Sequence, residues 1–273
     1  MRKVKFEIPV SVQEELNARD EKQEKESEKL LDNGIFQLSF PWSNEKRGVP
    51  NSLLRSALFG VVRRGRRELL DGVEIASWGS TTIKFTGKKL QQSDQDLWMA
   101  CVEACKRSGK TEVEVGQREF MRLIGRKNGN SKQLWDDLRR LVFAGIEVKS
   151  ERYSYAGTLI HNAVKDEESG RILLSINPKM AALFGAGATH IEVEQRHSLS
   201  GDLSKWLQGY VLSHKSNPQS PHSICLEKIQ DLCGSTATIR KFRQQLRAAM
   251  NELKEQRIVL GWKLENDVLK LWR

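Results

Sequence analysis

Arg240, Arg243 and Arg247 stand three and four residues apart, with Lys241 and Gln244 beside them, so a helix here would line up cationic forks and amide donors along one side. Groups of this kind break no bonds. They read guanine and adenine edges in the major groove of duplex DNA and grip the phosphates beside it. On the opposite side Ile239, Phe242, Leu246, Met250 and Leu253 recur at spacings of three and four, which predicts an amphipathic helix over 236–256. Ser235 or Thr236 would cap its start and bring backbone N–H groups to a phosphate, and Thr238 belongs to the same DNA-facing turn. The plainer alternative is a solvated basic face. A short helix and a glycine turn in front of the stretch favour recognition.

A second helix of the same make is predicted over Ser131 to Phe143, with Leu134, Trp135, Leu138, Leu141 and Val142 inward and Lys132, Gln133, Asp136, Arg139 and Arg140 outward. The loop before it supplies Arg126, Lys127, Asn130 and Ser131 as further donors. Two aspartates dilute its charge, so this helix reads fewer bases or serves as an assembly surface.

Patterns for covalent or metal chemistry fail on inspection. Gly109-Lys110-Thr111 has the ending of a phosphate-binding loop, but Ala104 stands where its first glycine belongs and the segment ends a helix instead of opening one. Cys101 and Cys105 sit four apart on one helical face without a second pair nearby, which reads as two buried thiols. The five histidines include no His-x-His pair and no paired acidic motif accompanies them. No catalytic constellation, metal site or cofactor is expected, and the chain reads as a non-enzyme.

The elements that must position the two helices form a weak internal repeat. In the first copy an apolar-faced helix (Leu97, Trp98, Cys101, Val102, Cys105) leads to a strand at Glu112 to Val115, a short helix at Phe120 to Ile124 closed by Gly125, and the long helix. In the second copy Leu203, Trp206, Leu207, Tyr210 and Val211 lead to Ser223 to Leu226, Glu227 to Cys233 closed by Gly234, and the basic helix. Trp98 and Gly125 are 27 positions apart, Trp206 and Gly234 28, so both copies keep nearly one ruler. Strand character follows each long helix: Ile146 to Ser150, Tyr153 to Val164 and Arg171 to Ile176 in the first, Ile258 to Leu264 and Asp267 to Trp272 in the second. Hairpins in that place are what wings look like. A further hairpin is predicted over 73–86 around Gly79-Ser80.

The formal net charge of +10 is unevenly placed. Residues 196–273 carry 13 basic and 7 acidic groups, and Arg63, Arg64, Arg66 and Arg67 form a tight cluster suited to phosphates. Residues 11–30 are charged with almost no apolar stripe, which reads as a solvated helix or disorder. The absence of a long apolar run or an apolar leader points to a cytoplasmic protein without membrane contact.

Three blocks then resemble the TrfA-type replication initiators of broad-host-range bacterial plasmids: Val49 to Phe59; Phe85-Thr86-Gly87-Lys88-Lys89-Leu90 with Asp94 to Trp98; and Leu226 to Ser235 with the basic helix after it. The resemblance implies an initiator that binds direct repeats (iterons) in double-stranded origin DNA and helps melt the adjacent duplex, with single-stranded DNA as a further ligand. It also implies recruitment of the host sliding clamp, initiator and replicative helicase, and self-association to a dimer. Gln37, Leu38 and Phe40 correspond to that family's clamp-binding peptide, with one apolar position missing.

The expected class is α+β, two tandem winged-helix domains with β-hairpin wings. Expected boundaries are a charged N-terminal segment at 1–33, a basic linker with the clamp peptide at 34–72, and winged-helix domains at 73–196 and 197–273. A transcriptional repressor is the rival within DNA binding, because fold does not fix function. A DNA-processing enzyme is the rival outside it.

Overall fold

The computed structural model describes residues 42–62, 65, 67–126, 130–150, 154–184, 187–215 and 220–273. Strand β1 (Lys46–Pro50) stops at a proline, which lacks a ladder N–H, and the one-turn helix α1 (Asn51–Leu54) follows. After β2 (Phe59–Gly60) come the hairpin strands β3 (Leu69–Ile75) and β4 (Thr82–Lys88), and then the two-residue β5 (Leu90–Gln91). Helix α2 (Gln92–Ser108) opens where Asp94 accepts the Gln91 N–H at 2.8 Å, and ends at Gly109 in the left-handed region.

The first repeat continues with β6 (Glu112–Val115), α3 (Gln117–Leu123), α4 (Ser131–Val142), β7 (Gly145–Lys149), β8 (Ser154–Thr158), β9 (Asn162–Lys165) and β10 (Ile172–Ser175). A 3-10 turn at Pro178–Met180 and the short α5 (Ala181–Phe184) lead to β11 (Ala188–Glu192) and α6 (Val193–Ser198). The second repeat is α7 (Asp202–Leu212), β12 (His222–Cys225), α8 (Leu226–Leu232), α9 (Ile239–Glu255), β13 (Gly261–Glu265) and β14 (Val268–Trp272). The class is α+β.

Both repeats build an antiparallel three-stranded sheet in the same order, first, third, second: β6–β10–β9 and β12–β14–β13. Each sheet lies with three helices around its own apolar core. One core runs from Trp42 to Ile191 and includes Trp98, Phe120, Leu134 and Leu138; the other runs from Leu199 to Leu271 and includes Tyr210, Phe242 and Leu246.

Two expectations are corrected. The strand-rich stretch after α4 does not form one hairpin. β7 and β8 leave to extend the β3–β4 hairpin into a four-stranded sheet, and only β9 and β10 join β6. Alternation decides this: the buried Ile146 and Val148 of β7 face Phe85 and Ile83 of β4 in register, so β7 matches that apolar face. Residues 42–62, expected within a basic linker, are built into the cores: Val49, Leu53, Leu54, Leu58 and Phe59 are buried. The Cβ that Gly209 lacks would fall 2.6 Å from a Leu54 methyl, so α1 and α7 touch where only glycine fits.

Helix α2 is buried on nearly every side, although it carries Asp94, Asp96 and Glu103. Each carboxylate is held by at least one cation from outside α2. Asp94 meets Arg67 and Arg140; Asp96 meets Arg196 and Lys205; Glu103 meets Arg47, Lys106 and Arg107. Removing one partner from such a pair is costly, because the other charge stays out of water. The Asp96 cluster joins the repeats, since Arg196 also bonds Gln92 and the Lys205 carbonyl.

Candidate nucleic-acid interface

Helix α9 buries Phe242, Leu246, Ala249, Met250 and Leu253 and turns Arg240, Lys241, Gln244 and Arg247 to solvent. Gln245, Ala248 and Asn251 share the exposed side, so the outward stripe continues past the cations as Arg240, Gln244, Arg247, Ala248 and Asn251. Sequence reasoning passed over the last two because it sought charge. Their signal was the complement of the buried stripe.

The helix begins at Ile239 with Thr238 as its cap residue, three positions later than expected. Residues 235–237 form a separate turn after Gly234, and the Gln230 amide of α8 donates to the Ala237 carbonyl at 2.6 Å. Thr236 and Thr238 are exposed and Ser235 is half-buried, with its hydroxyl accepting from the Ala237 N–H at 3.4 Å. Ser235 therefore does not cap the helix.

Arg243 departs from its neighbours. Its guanidinium grips Asp267 in the β13–β14 turn through two parallel hydrogen bonds, Nε to Oδ1 at 3.0 Å and Nη2 to Oδ2 at 2.9 Å. The expected base donor is occupied by a carboxylate 24 residues away.

In the first repeat Asn130 caps α4 by accepting the Lys132 N–H at 2.8 Å, and Ser131 is half-buried behind it. Lys132, Gln133 and Arg139 are exposed, with Asp136 4.0 Å from Arg139. Arg140 is corrected: its side chain is 14% exposed and bound to Asp94 and Asp137, so it faces inward. Burial works against its charge, but the two carboxylates outweigh that and hold its pKa above the ordinary value. Arg126 also bonds Asp137, at 3.1 Å, and Gln133 donates to the same carboxylate at 2.7 Å. Arg67 is corrected too, its guanidinium lying on Asp94 and the Lys89 carbonyl. Lys127, Arg63, Arg64, Arg66, Gln37, Leu38 and Phe40 lie outside the described residues.

The two repeats thus differ in kind. α9 presents a continuous cationic and amide stripe, whereas α4 presents Lys132 and Arg139 around an aspartate. The hairpin in the place of the first wing is acidic at its tip. The β9–β10 turn carries Asp166, Glu167 and Glu168, all exposed, which phosphates would repel. Cys101, Cys105 and Cys233 are buried, and burial pushes the thiols of Cys105 and Cys233 up to about 12, far from a reactive thiolate. No cluster of three metal-ligating side chains occurs among the described residues. No helix among them is long and apolar enough to cross a membrane.

Domains 2 and 3 of RctB share the fold with a TM-score of 0.55 at 11% identity, over 82% of this chain and 98% of that one. The Pi initiator protein in complex with iteron DNA aligns at 0.45 and 12% identity over 83% and 96% of the two chains. A plasmid replication initiator protein TrfA from Escherichia coli is 24% identical over 253 residues, 87% of this chain and 64% of the relative, so the chain spans less than two thirds of that relative's length. The family model described as TrfA protein matches residues 5–273, and with nearly its whole length inside that match the chain belongs to the TrfA protein family.

Proposed function

We propose that the chain initiates plasmid replication by binding repeated sites in double-stranded origin DNA, with each repeat acting as a winged helix. Under this reading α9 lies in the major groove and β13–β14 is its wing; α4 with Lys132, Gln133 and Arg139 adds weaker contacts in a neighbouring groove. The observation that carries it is the exposed stripe of α9, which sets arginine and amide groups along the side away from the core. The initiator named in the E. coli relative supports the process, and family membership supports the assignment. Arg240 and Arg247 are the guanine or phosphate donors, Gln244 the adenine reader and Lys241 a phosphate contact. The protein acts by holding and deforming the duplex without bond chemistry, and the strain falls on flexible AT-rich steps. Host clamp, initiator and helicase are its partners, with the clamp met through Gln37, Leu38 and Phe40, and single-stranded DNA and a second copy of the chain complete the set.

The test is selection from a randomised duplex library, followed by footprinting on the origin of the plasmid that carries the gene. Enrichment of one motif matching direct repeats there, with permanganate-reactive thymines beside them, supports the reading. Enrichment without any opening points to a repressor. No enrichment over random DNA removes the proposal.

A further inference from the structure

We propose that Arg243 is a positioning residue, not a base reader: with Asp267 it fixes the β13–β14 hairpin against α9 at the angle that duplex DNA requires. The inference rests on the DNA-binding reading of α9. The fork-to-carboxylate geometry of the pair is the arrangement that most restricts a guanidinium, because two parallel bonds fix both its direction and its plane. Asp267 is a junction as well as a counter-ion. Its backbone carbonyl accepts the N–H of Leu226, the first residue of α8, at 2.7 Å. One residue therefore ties the hairpin to the reading helix through its side chain and to the preceding helix through its backbone.

The turn itself needs such support. Asn266 and Asp267 both lie in the left-handed region, with φ of 48° and 59°. Asparagine and aspartate tolerate that region better than other side chains, but each still has a disfavoured backbone that the surroundings must hold. Charge gives the pair a second consequence. A lone carboxylate at the tip of a DNA-facing hairpin would repel phosphate, and Arg243 neutralises it. Arg243 is half-exposed, with 35% of its side chain accessible, whereas Arg240 and Arg247 are exposed.

The two roles of Arg243 predict opposite effects for one substitution. If Arg243 positions the hairpin, Asp267→Asn loosens it and weakens binding. If Arg243 reads a base, Asp267→Asn frees it, removes a repulsive charge and tightens binding. Asparagine keeps the tolerance for the left-handed backbone, so the variant folds.

The experiment uses the full chain and the duplex obtained by library selection. Affinity is read by fluorescence anisotropy at 25 °C for wild type, Arg243→Ala, Asp267→Asn and the double variant, and amide hydrogen exchange at residues 265–268 is read without DNA. We expect each single variant to weaken binding by about tenfold, or about 1.4 kcal/mol, the double to lose no more than either, and exchange to speed up in all three. Unchanged or tighter binding by Asp267→Asn, beside weaker binding by Arg243→Ala, overturns the proposal. So does additive loss in the double. If the wild type selects no duplex, the DNA-binding reading fails, and unchanged exchange in Asp267→Asn would separately overturn the tie.

Discussion

Asp96→Asn tests whether the two repeats are held together by a buried charge or only by apolar contact. Arg196 is 1% exposed and ion-paired with Asp96, while Lys205 reaches the same carboxylate at 2.8 Å. Asparagine keeps the shape and removes the charge, which leaves the guanidinium buried beside a neutral amide. Breaking a buried pair in this way costs about 3–5 kcal/mol. Arg196 retains the Gln92 amide oxygen at 2.8 Å and the Lys205 carbonyl at 3.1 Å, so the lower end, about 3 kcal/mol, applies. At about 2–4 °C per kcal/mol for a chain of this size, the midpoint falls by about 6–12 °C. Circular dichroism melts at pH 7 measure it, with Asp96→Asn/Arg196→Met as the companion, in which the buried guanidinium is gone, only the partly exposed Lys205 loses its partner, and the loss is smaller. A single variant melting within about 2 °C of wild type would refute the reasoning, as would a double variant worse than the single. The pH dependence has a definite sign. Burial opposes ionisation of Asp96, but Arg196 and Lys205 outweigh it and hold its pKa below the usual carboxylate value. The stability it contributes is therefore full at neutral pH and is lost below about pH 4, as the carboxylate takes up a proton.

Arg240→Ala and Arg247→Ala should change stability by less than about 0.5 kcal/mol, because both side chains are exposed. Each should weaken the selected duplex by about 1–3 kcal/mol if it meets a base, or lower the salt slope by about one if it meets a phosphate; melts and salt titrations separate the outcomes, and no effect on either would remove that residue from the interface. Gly125→Ala should destabilise by about 1–3 kcal/mol, since φ is 69° there and the added methyl would fall 2.5 Å from the His197 ring; a neutral melt would contradict this. Burial lowers the pKa of His214 to about 4, in a cluster where its ring meets Trp78 edge-on at 5.3 Å. The folded state thus binds fewer protons than the unfolded one, so stability should fall as pH drops from about 6.5 towards 4. Denaturant midpoints of wild type and His214→Gln across that range check it, and parallel curves would show the histidine to be silent.

Local order was legible in the sequence wherever one face of a helix is buried. The stripes of α4 and α9, the glycine turns at Gly125 and Gly234 and the doubled strand–helix–helix order all follow from spacing within a window of about 20 residues. Long-range charge pairing was not legible. Arg140 pairs with Asp94 across 46 positions and Arg243 with Asp267 across 24, and an arginine on the outward side of a helix looks the same before its partner is known. Strand partnership failed for the same reason: the alternation of β7 shows one apolar face, and only the rows Ile83–Val148 and Phe85–Ile146 reveal which strand it meets.

The fate of the arginines explains why one fold used twice yields two unlike surfaces. In the first repeat α4 packs on α2, whose buried Asp94 requires a cation, and Arg140 with Arg67 meets that need. Asp137, also buried, takes Arg126. Cations that the sequence places on the outward side of α4 or in the loop before it are thereby drawn into its foundations. In the second repeat the corresponding helix α7 offers α9 an apolar side of Leu203, Trp206, Leu207, Tyr210 and Val211 and no buried acid, so Arg240 and Arg247 have no inward call on them. The contact between α7 and α9 is apolar, and the charge of Arg240 and Arg247 is left for the surface. Buried carboxylates on α2, and their absence from α7, thus decide which repeat keeps its arginines at the surface.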